Sequence, residues 1–360
     1  MSPVLTKQKR LLSLDAYRGL TMFLMVSAGF GLGVLADNPG WKWLAHQVDH
    51  VAWQGCVLWD LIQPSFIFIV GVAMPFAFAV RQERGEKRGQ IFKHVWKRSL
   101  ILLLLGVGRV CIFRNELVFD MTTVLQQIAV AYFFAFFVLG RGIKVQFLVA
   151  SLILLTDWAL FQFWPGVGPA GPWAKNVNFH SAVELWVFGS LSPGGYAGFN
   201  AFGSIATVIF GVMAGELLRK EIGEIPKVAF LALAGIAGIV IGVLLNPVVP
   251  VIKRIWTPSW TIYSAGWGSL LLAVFYWVIE VLGKRKWCFI FMVVGMNSIT
   301  IYMLVSFLRG DIWSWLWVFT SGILTPLGNL GTIIQSVLVL AVFWYMVYWM
   351  YKRQIFLKVG

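Results

Sequence analysis

The sequence predicts an all-α polytopic membrane helix bundle of about ten transmembrane helices, with both termini on the cytoplasmic side. Hydrophobic residues make up 59% of the chain and charged residues only 12%, with 19 Trp and 29 Phe in 360 residues. That is more apolar surface than a soluble domain of this length can hide. Apolar runs close to the roughly 20 residues needed to cross a bilayer recur along most of the chain. Lys and Arg gather in alternate connections between those runs, the pattern that orients membrane proteins. The formal charge of +14 would suggest nucleic acid in a soluble protein, but here the bases sit in short loops between spans, so nucleic acid is not an expected partner. Cys56, Cys111 and Cys288 make no disulfide framework and read as small apolar packing residues.

The spans fall near 14–36, 58–80, 99–113, 122–140, 145–164, 200–218, 228–246, 259–283, 288–309 and 329–351. The first follows Lys7, Lys9 and Arg10; it is too long for the apolar core of a cleavable signal and is expected to be retained. The second opens on Asp60, a carboxylate favoured at a helix N-terminus. The third is short and follows the basic stretch from Arg81 to Arg98. The fourth carries Gln126 and Gln127 among apolar residues, and the ninth carries Asn297 and Ser298; these are groups that can bridge helices or donate to a carbonyl oxygen. Gly29/Gly33, Gly211/Gly215 and Gly238/Gly242 are read as close packing within the bundle rather than as a dimer interface, which leaves a homodimer open. The tenth span ends before Lys352 and Arg353.

Of the 29 Lys and Arg, the inner segments take 21 and the outer ones 7, with Arg18 inside the first span. The outer side then receives the loops at 37–57, 165–199, 247–258 and 310–328. Loop 165–199, rich in Gly, Pro and Trp, is expected to be an ordered cap on a single domain spanning 1–360. The tryptophans of 311–325 suggest an interfacial helix or a re-entrant piece. Gly166-Val167-Gly168-Pro169-Ala170-Gly171 matches a dinucleotide fingerprint by letter only, because no strand precedes it and no helix follows.

Polar groups inside a span cost roughly 2.5–3.5 kcal/mol each at the helix centre, so they need a partner or a task. Asp15 and Arg18, three apart on one helical face, can pair, and Arg18 can anchor an anionic ligand from the cytoplasm. On the outer side, His46 and His50 with Asp49 approach a reversed zinc motif, His-x-x-Glu-His. Asp stands in place of Glu and no third ligand is visible, so no metal is expected. The other reading makes His50 a general base at the mouth of the bundle, with Asp60 orienting its ring.

Leu12-Ser13-Leu14-Asp15-Ala16-Tyr17-Arg18-Gly19, then His50-Val51-Ala52-Trp53-Gln54-Gly55, then Asp60-Leu61-Ile62-Gln63-Pro64 run in a suggestive order. With residues 124–128, 205–216, 250–257 and 295–299, they resemble the transmembrane acyltransferases of the heparan-α-glucosaminide N-acetyltransferase type over nearly the whole chain. The resemblance implies an enzyme that moves acetyl from cytoplasmic acetyl-CoA to an amino sugar or glycan acceptor on the far side of the membrane, and it maps the family's catalytic histidine onto His50. On that expectation His50, Asp60 and Asn297 are the catalytic candidates, with Asn297 polarising the carbonyl. Asp15, Arg18, Gln126 and Arg98 are the candidates for binding acetyl-CoA, with Lys97 beside them at the inner mouth. Gly29 stands where the family has an asparagine, and residues 194–200 replace an aspartate-proline-glutamate-glycine stretch. These departures suggest a bacterial-type relative in the cytoplasmic (inner) membrane. Trp164, Trp173, Tyr196 and Trp256 are candidates to stack on sugar faces or to anchor at the interface. The competing reading is a secondary transporter or lipid-linked sugar flippase, which calls for internal repeats that the two halves do not display.

Overall fold

The computed structural model describes residues 11–119 and 121–357; Lys7, Lys9, Arg10 and Lys358 from the charge count lie outside the described residues. The described chain is helical and contains no strand. In order the helices are α1 (Leu12–Val26), α2 (Lys42–Gln47), α3 (Ile62–Glu83), α4 (Arg88–Arg114), α5 (Val124–Ala135), α6 (Ile143–Phe163) and α7 (Phe179–Phe188). They continue as α8 (Ala201–Arg219), α9 (Glu224–Leu245), α10 (Pro258–Tyr276), α11 (Phe289–Met296), α12 (Ser298–Leu324) and α13 (Asn329–Lys352). Among the described residues, six helices are long and apolar enough to cross a membrane, and up to eight if each of two bent pairs counts as one span.

The bends correct two expected spans. The first stretch does not run straight through 14–36: α1 ends at Val26 and the chain turns by 47° into Ala28–Leu35, where Ala28, Gly29, Phe30 and Gly31 all have positive φ. The ninth does not run through 288–309 either, because α11 and α12 meet at Asn297 with a bend of 82°. The tryptophan-rich segment 311–325 is no separate element; all but its last residue continues α12. The third stretch, read as a short span, is the second half of a 27-residue helix that begins at Arg88. At that end the Arg88 guanidinium donates to the carbonyls of Phe136 and Leu139, just past the end of α5.

Helices approach closely where they carry glycine. A Cβ at Gly71 of α3 would meet the Val208 carbonyl oxygen at 2.1 Å, and one at Gly211 of α8 would meet that of Phe68 at 2.1 Å. In lipid the packing contact itself holds such pairs together, since the solvent is as apolar as the side chains. The same device joins α1 to α11 through Gly19 and Gly295, and α9 to α10 through Gly238 and Gly266. Ile67, Val72 and Val208 are fully buried at the centre, whereas α9 presents Leu233 and Leu244, 65% and 72% exposed, as an outward apolar face.

Candidate active site

The site begins at the turn into α3. His50 follows α2 in an irregular loop, and the chain re-enters helix through the 3-10 turn Leu58–Leu61, which carries Asp60. The imidazole Nδ1 of His50 lies 2.7 Å from Oδ1 of Asp60. Oδ2 of Asp60 accepts the backbone N–H of Val57 at 3.3 Å and of Val51 at 3.4 Å. The carboxylate thus holds both the ring and the loop that presents it. At 2.7 Å a proton must lie between nitrogen and oxygen; since the carboxylate accepts, Nδ1–H donates, and in the neutral ring Nε2 is then the nitrogen that carries the lone pair.

A third residue reaches this pair from far along the chain. Lys253 is 3% exposed, with Nζ 3.4 Å from Oδ1 of Asp60 and 3.3 Å from Nδ1 of His50. Burial pulls its ammonium down to about 8, against the opposing pull of Asp60. The adjoining Arg254 donates to the carbonyls of Val51 and Gly194 and lies over the ring of Tyr196 at 5.2 Å. Gly55 N–H donates to the Val251 carbonyl at 2.9 Å, closing the two loops on each other.

Segment 165–199 folds over this cluster. His180 and Asp157, both fully buried, bond at 3.0 Å and fix α7 to α6. Glu184 on α7 accepts from Ser192 and from the Gly198 N–H at 3.0 Å, so it shapes the turn that carries Tyr196. Phe161, Ala197, Ile252 and Ile255 form the apolar seat beneath, with Trp53 and Trp173 packed against it. Trp256 is 1% exposed and donates to Thr207, so it serves the core and offers no face to a sugar. A cavity of about 630 Å³ opens beside His50 and is lined also by Gln63, Arg109, Tyr196, Lys253 and Tyr302. Gln63 leads into a buried amide chain, donating to Gln127, which donates to Asn200.

A second cavity, of about 230 Å³, lies further along α3 and is lined by Arg18, Arg98, Tyr132 and Ser298. It runs into a cleft of about 60 Å³ with Arg81 and His94 on its wall. Gln63 and Val124 line the His50 cavity, while Phe66, one turn along α3, and Leu125, the next residue of α5, line the arginine cavity. The two cavities therefore abut along the same two helices. Arg98 lies over the Tyr132 ring at 5.0 Å, and its buried Nε has no hydrogen-bond partner among the described residues. Asp15, buried where α1 meets α11, pairs with Arg18 at 3.6 Å.

The remaining candidates stand elsewhere. Gln126 does not line either cavity; its Oε1 accepts from the N–H and hydroxyl of Thr123 and caps α5. Asn297 sits at the α11–α12 break, donating to the Ile355 carbonyl and accepting the Leu357 N–H at 3.2 Å, with neither cavity lined by it. Lys97 is exposed on α4 and lines neither. Gly29 has φ 64, and a Cβ there would meet Val48 at 3.1 Å, two residues from His50. This left-handed conformation is one that glycine and asparagine enter most readily.

Sequence reading passed over Lys253 and Gln63 as site residues. The available signal for Lys253 was that it is one of the few bases on the side the others avoid.

The chain resembles known proteins over much of its length. The family model described as heparan-alpha-glucosaminide N-acetyltransferase, catalytic, matches residues 10–243. The human heparan-alpha-glucosaminide N-acetyltransferase is 25% identical over 363 aligned residues, which cover 82% of this chain and 52% of the human protein. The mouse protein of the same name is 25% identical over 426, covering 97% of this chain and 60% of its own length. The chain thus spans between 52% and 60% of the curated relatives it matches.

Proposed function

From the premise that this chain belongs to the heparan-alpha-glucosaminide N-acetyltransferase catalytic family, we propose that it transfers acetyl from acetyl-CoA to the amine of an amino sugar or glycan across a membrane. The observation that carries this reading is a base and an anion site in abutting cavities: His50, its Nδ1 held by Asp60, in one and Arg18 with Arg98 in the other. We read ten passes with both termini cytoplasmic, so that the arginine cavity opens inward and His50 outward.

Acetyl-CoA is polyanionic and does not cross a bilayer unaided. Arg98 and Arg18 suit its phosphates, and Ser298 at the start of α12 lines the same cavity. With the nucleotide held there, the pantetheine arm extends along α3 toward Gln63 and brings the thioester to the outer cavity. Nε2 of His50 takes the proton as the acceptor nitrogen attacks the carbonyl carbon. The C–N bond forms, the C–S bond breaks with its electrons leaving on sulfur, and the proton passes from Nε2 to the thiolate. Asp60 positions the ring throughout and stabilises the imidazolium that forms. Asn297 is engaged by the C-terminal backbone, so we assign the carbonyl-polarising role to the groups lining the outer cavity, among them Gln63 and Tyr302.

Thiol release from acetyl-CoA on addition of glucosamine tests the reading. A general base contributes about 10²–10⁴-fold, so His50→Ala is expected to lose that much in kcat while keeping its melting temperature. Sugar uptake into vesicles without acetyl-CoA, in place of thiol release, would overturn the assignment in favour of transport.

A further inference from the structure

Asp60, buried and 2.7 Å from Nδ1, poses a difficulty for a histidine that must accept a proton. A carboxylate beside an imidazole favours the imidazolium, the form with no lone pair left to act as a base. Something must offset that charge without disturbing the hydrogen bond that sets the tautomer.

Lys253 stands at the right place. Its Nζ lies 3.4 Å from the same Oδ1 that His50 uses and 3.3 Å from Nδ1 itself. Because Nδ1 already donates its proton to Asp60, it offers no lone pair to the ammonium. Lys253 therefore donates to the carboxylate alone, and toward the ring it acts only through its charge, which opposes a second positive charge there. Resting on the transferase reading above, we propose that Lys253 is a positioning residue that cancels the charge of Asp60 and so keeps His50 in its neutral, proton-accepting form.

The other charged and titratable neighbours do not supply this. Asp49, on the same loop, accepts the backbone N–H of His50 and not the ring. Cys56 is pushed up to about 12 by burial and stays a neutral thiol. Arg254 donates to backbone carbonyls, and Tyr196 lies against Arg254. Arg109 and Arg114 of α4 and Tyr302 of α12 share the cavity wall. Among the described residues, Asp60 and Lys253 are the groups within hydrogen-bond reach of the imidazole. Lys253 holds its proton up to about 8, so its charge is present across the range in which a histidine ordinarily titrates.

The test compares the wild-type chain with Lys253→Met, Lys253→Gln and Lys253→Arg by two pH titrations. The first is kcat/KM for thiol release with glucosamine; the second is the rate at which diethyl pyrocarbonate modifies His50, followed by peptide mass, since that reagent attacks only neutral imidazole. Two neutral variants are included so that a fold defect in one leaves the other. In either neutral variant both acid limbs are expected to move up by about 1 pH unit, the size of a nearby unit charge screened by partial exposure, and Lys253→Arg is expected to move them back toward wild type. A neutral variant that loses activity with its acid limbs in place has lost only packing, and that result overturns the proposal. Absence of thiol release at every pH would instead overturn the transferase reading, while the modification titration would still read the charge on His50.

Discussion

Lys253 illustrates what a single buried charge does to a site and to the stability of the chain around it. Burial holds its ammonium down to about 8 from an ordinary 10.5. Between those two values the unfolded chain keeps a proton that the folded chain has shed. By linkage, stability then rises as pH climbs through that window, and the cost of burying the charge is fully present below it. Wild-type protein in detergent is expected to gain melting temperature from pH 8 to pH 10.5 relative to Lys253→Met, which lacks the group. Equal pH profiles for the two would show that the ammonium is not held down. At the same scale, His50 and Asp60 are ten residues apart around one turn, and such closeness made their contact readable in advance. Gln126 and Gln127 could not be told apart that way: adjacent on α5, one caps its own helix and the other bridges Gln63 to Asn200. Which way each amide points depends on neighbours that no local pattern names.

At the scale of elements, the bundle is organised by where helices come close. The α3–α8 seam places Gly71 against Val208 and Gly211 against Phe68, and α3 is the helix along which both cavities lie. Gly211→Leu must push the helices apart, at a cost of about 1–3 kcal/mol or more. It is expected to lower the melting temperature and to depress thiol release together. Gly310→Ala on α12, where a Cβ meets nothing within 4 Å, is expected to leave both unchanged, and equal effects from the two would refute the seam. Glycine spacing made this packing legible at Gly211/Gly215 and Gly238/Gly242, but not at Gly29/Gly33, where Gly29 sits in the positive-φ bend and a Cβ at Gly33 would meet nothing within 4 Å. The breaks at 27–31 and at Asn297 were not legible. An apolar run reads the same whether or not it bends, and the first bend lies in residues 28–31, whose positive φ no hydropathy pattern reports.

The whole molecule sets an arginine-lined cavity and a histidine-lined one end to end along α3 and α5, and transfer across a membrane follows only if each opens to its own side. On the proposed reading, Arg98→Gln removes a charge-assisted contact to a phosphate of acetyl-CoA, worth about 1.5–3 kcal/mol. It is expected to raise KM for acetyl-CoA by about 10–100-fold and to leave KM for the amino sugar unaltered. In sealed proteoliposomes acetyl-CoA and acceptor are expected to react only from opposite faces. Reaction with both on one face would sink the two-sided arrangement.

Local pattern by itself determined that this chain is helical, apolar enough for a bilayer, and marked at its His50 loop, because helix formation and transfer into lipid depend on residues within a few turns of each other. Tertiary structure alone decided that Lys253, 193 positions from Asp60, joins His50 and Asp60, that Trp256 is core, and that Arg98 but not its neighbour Lys97 lines a cavity with Arg18. Those outcomes rest on contacts between segments distant along the chain, and such contacts are selected by how the helices pack, not by composition or spacing.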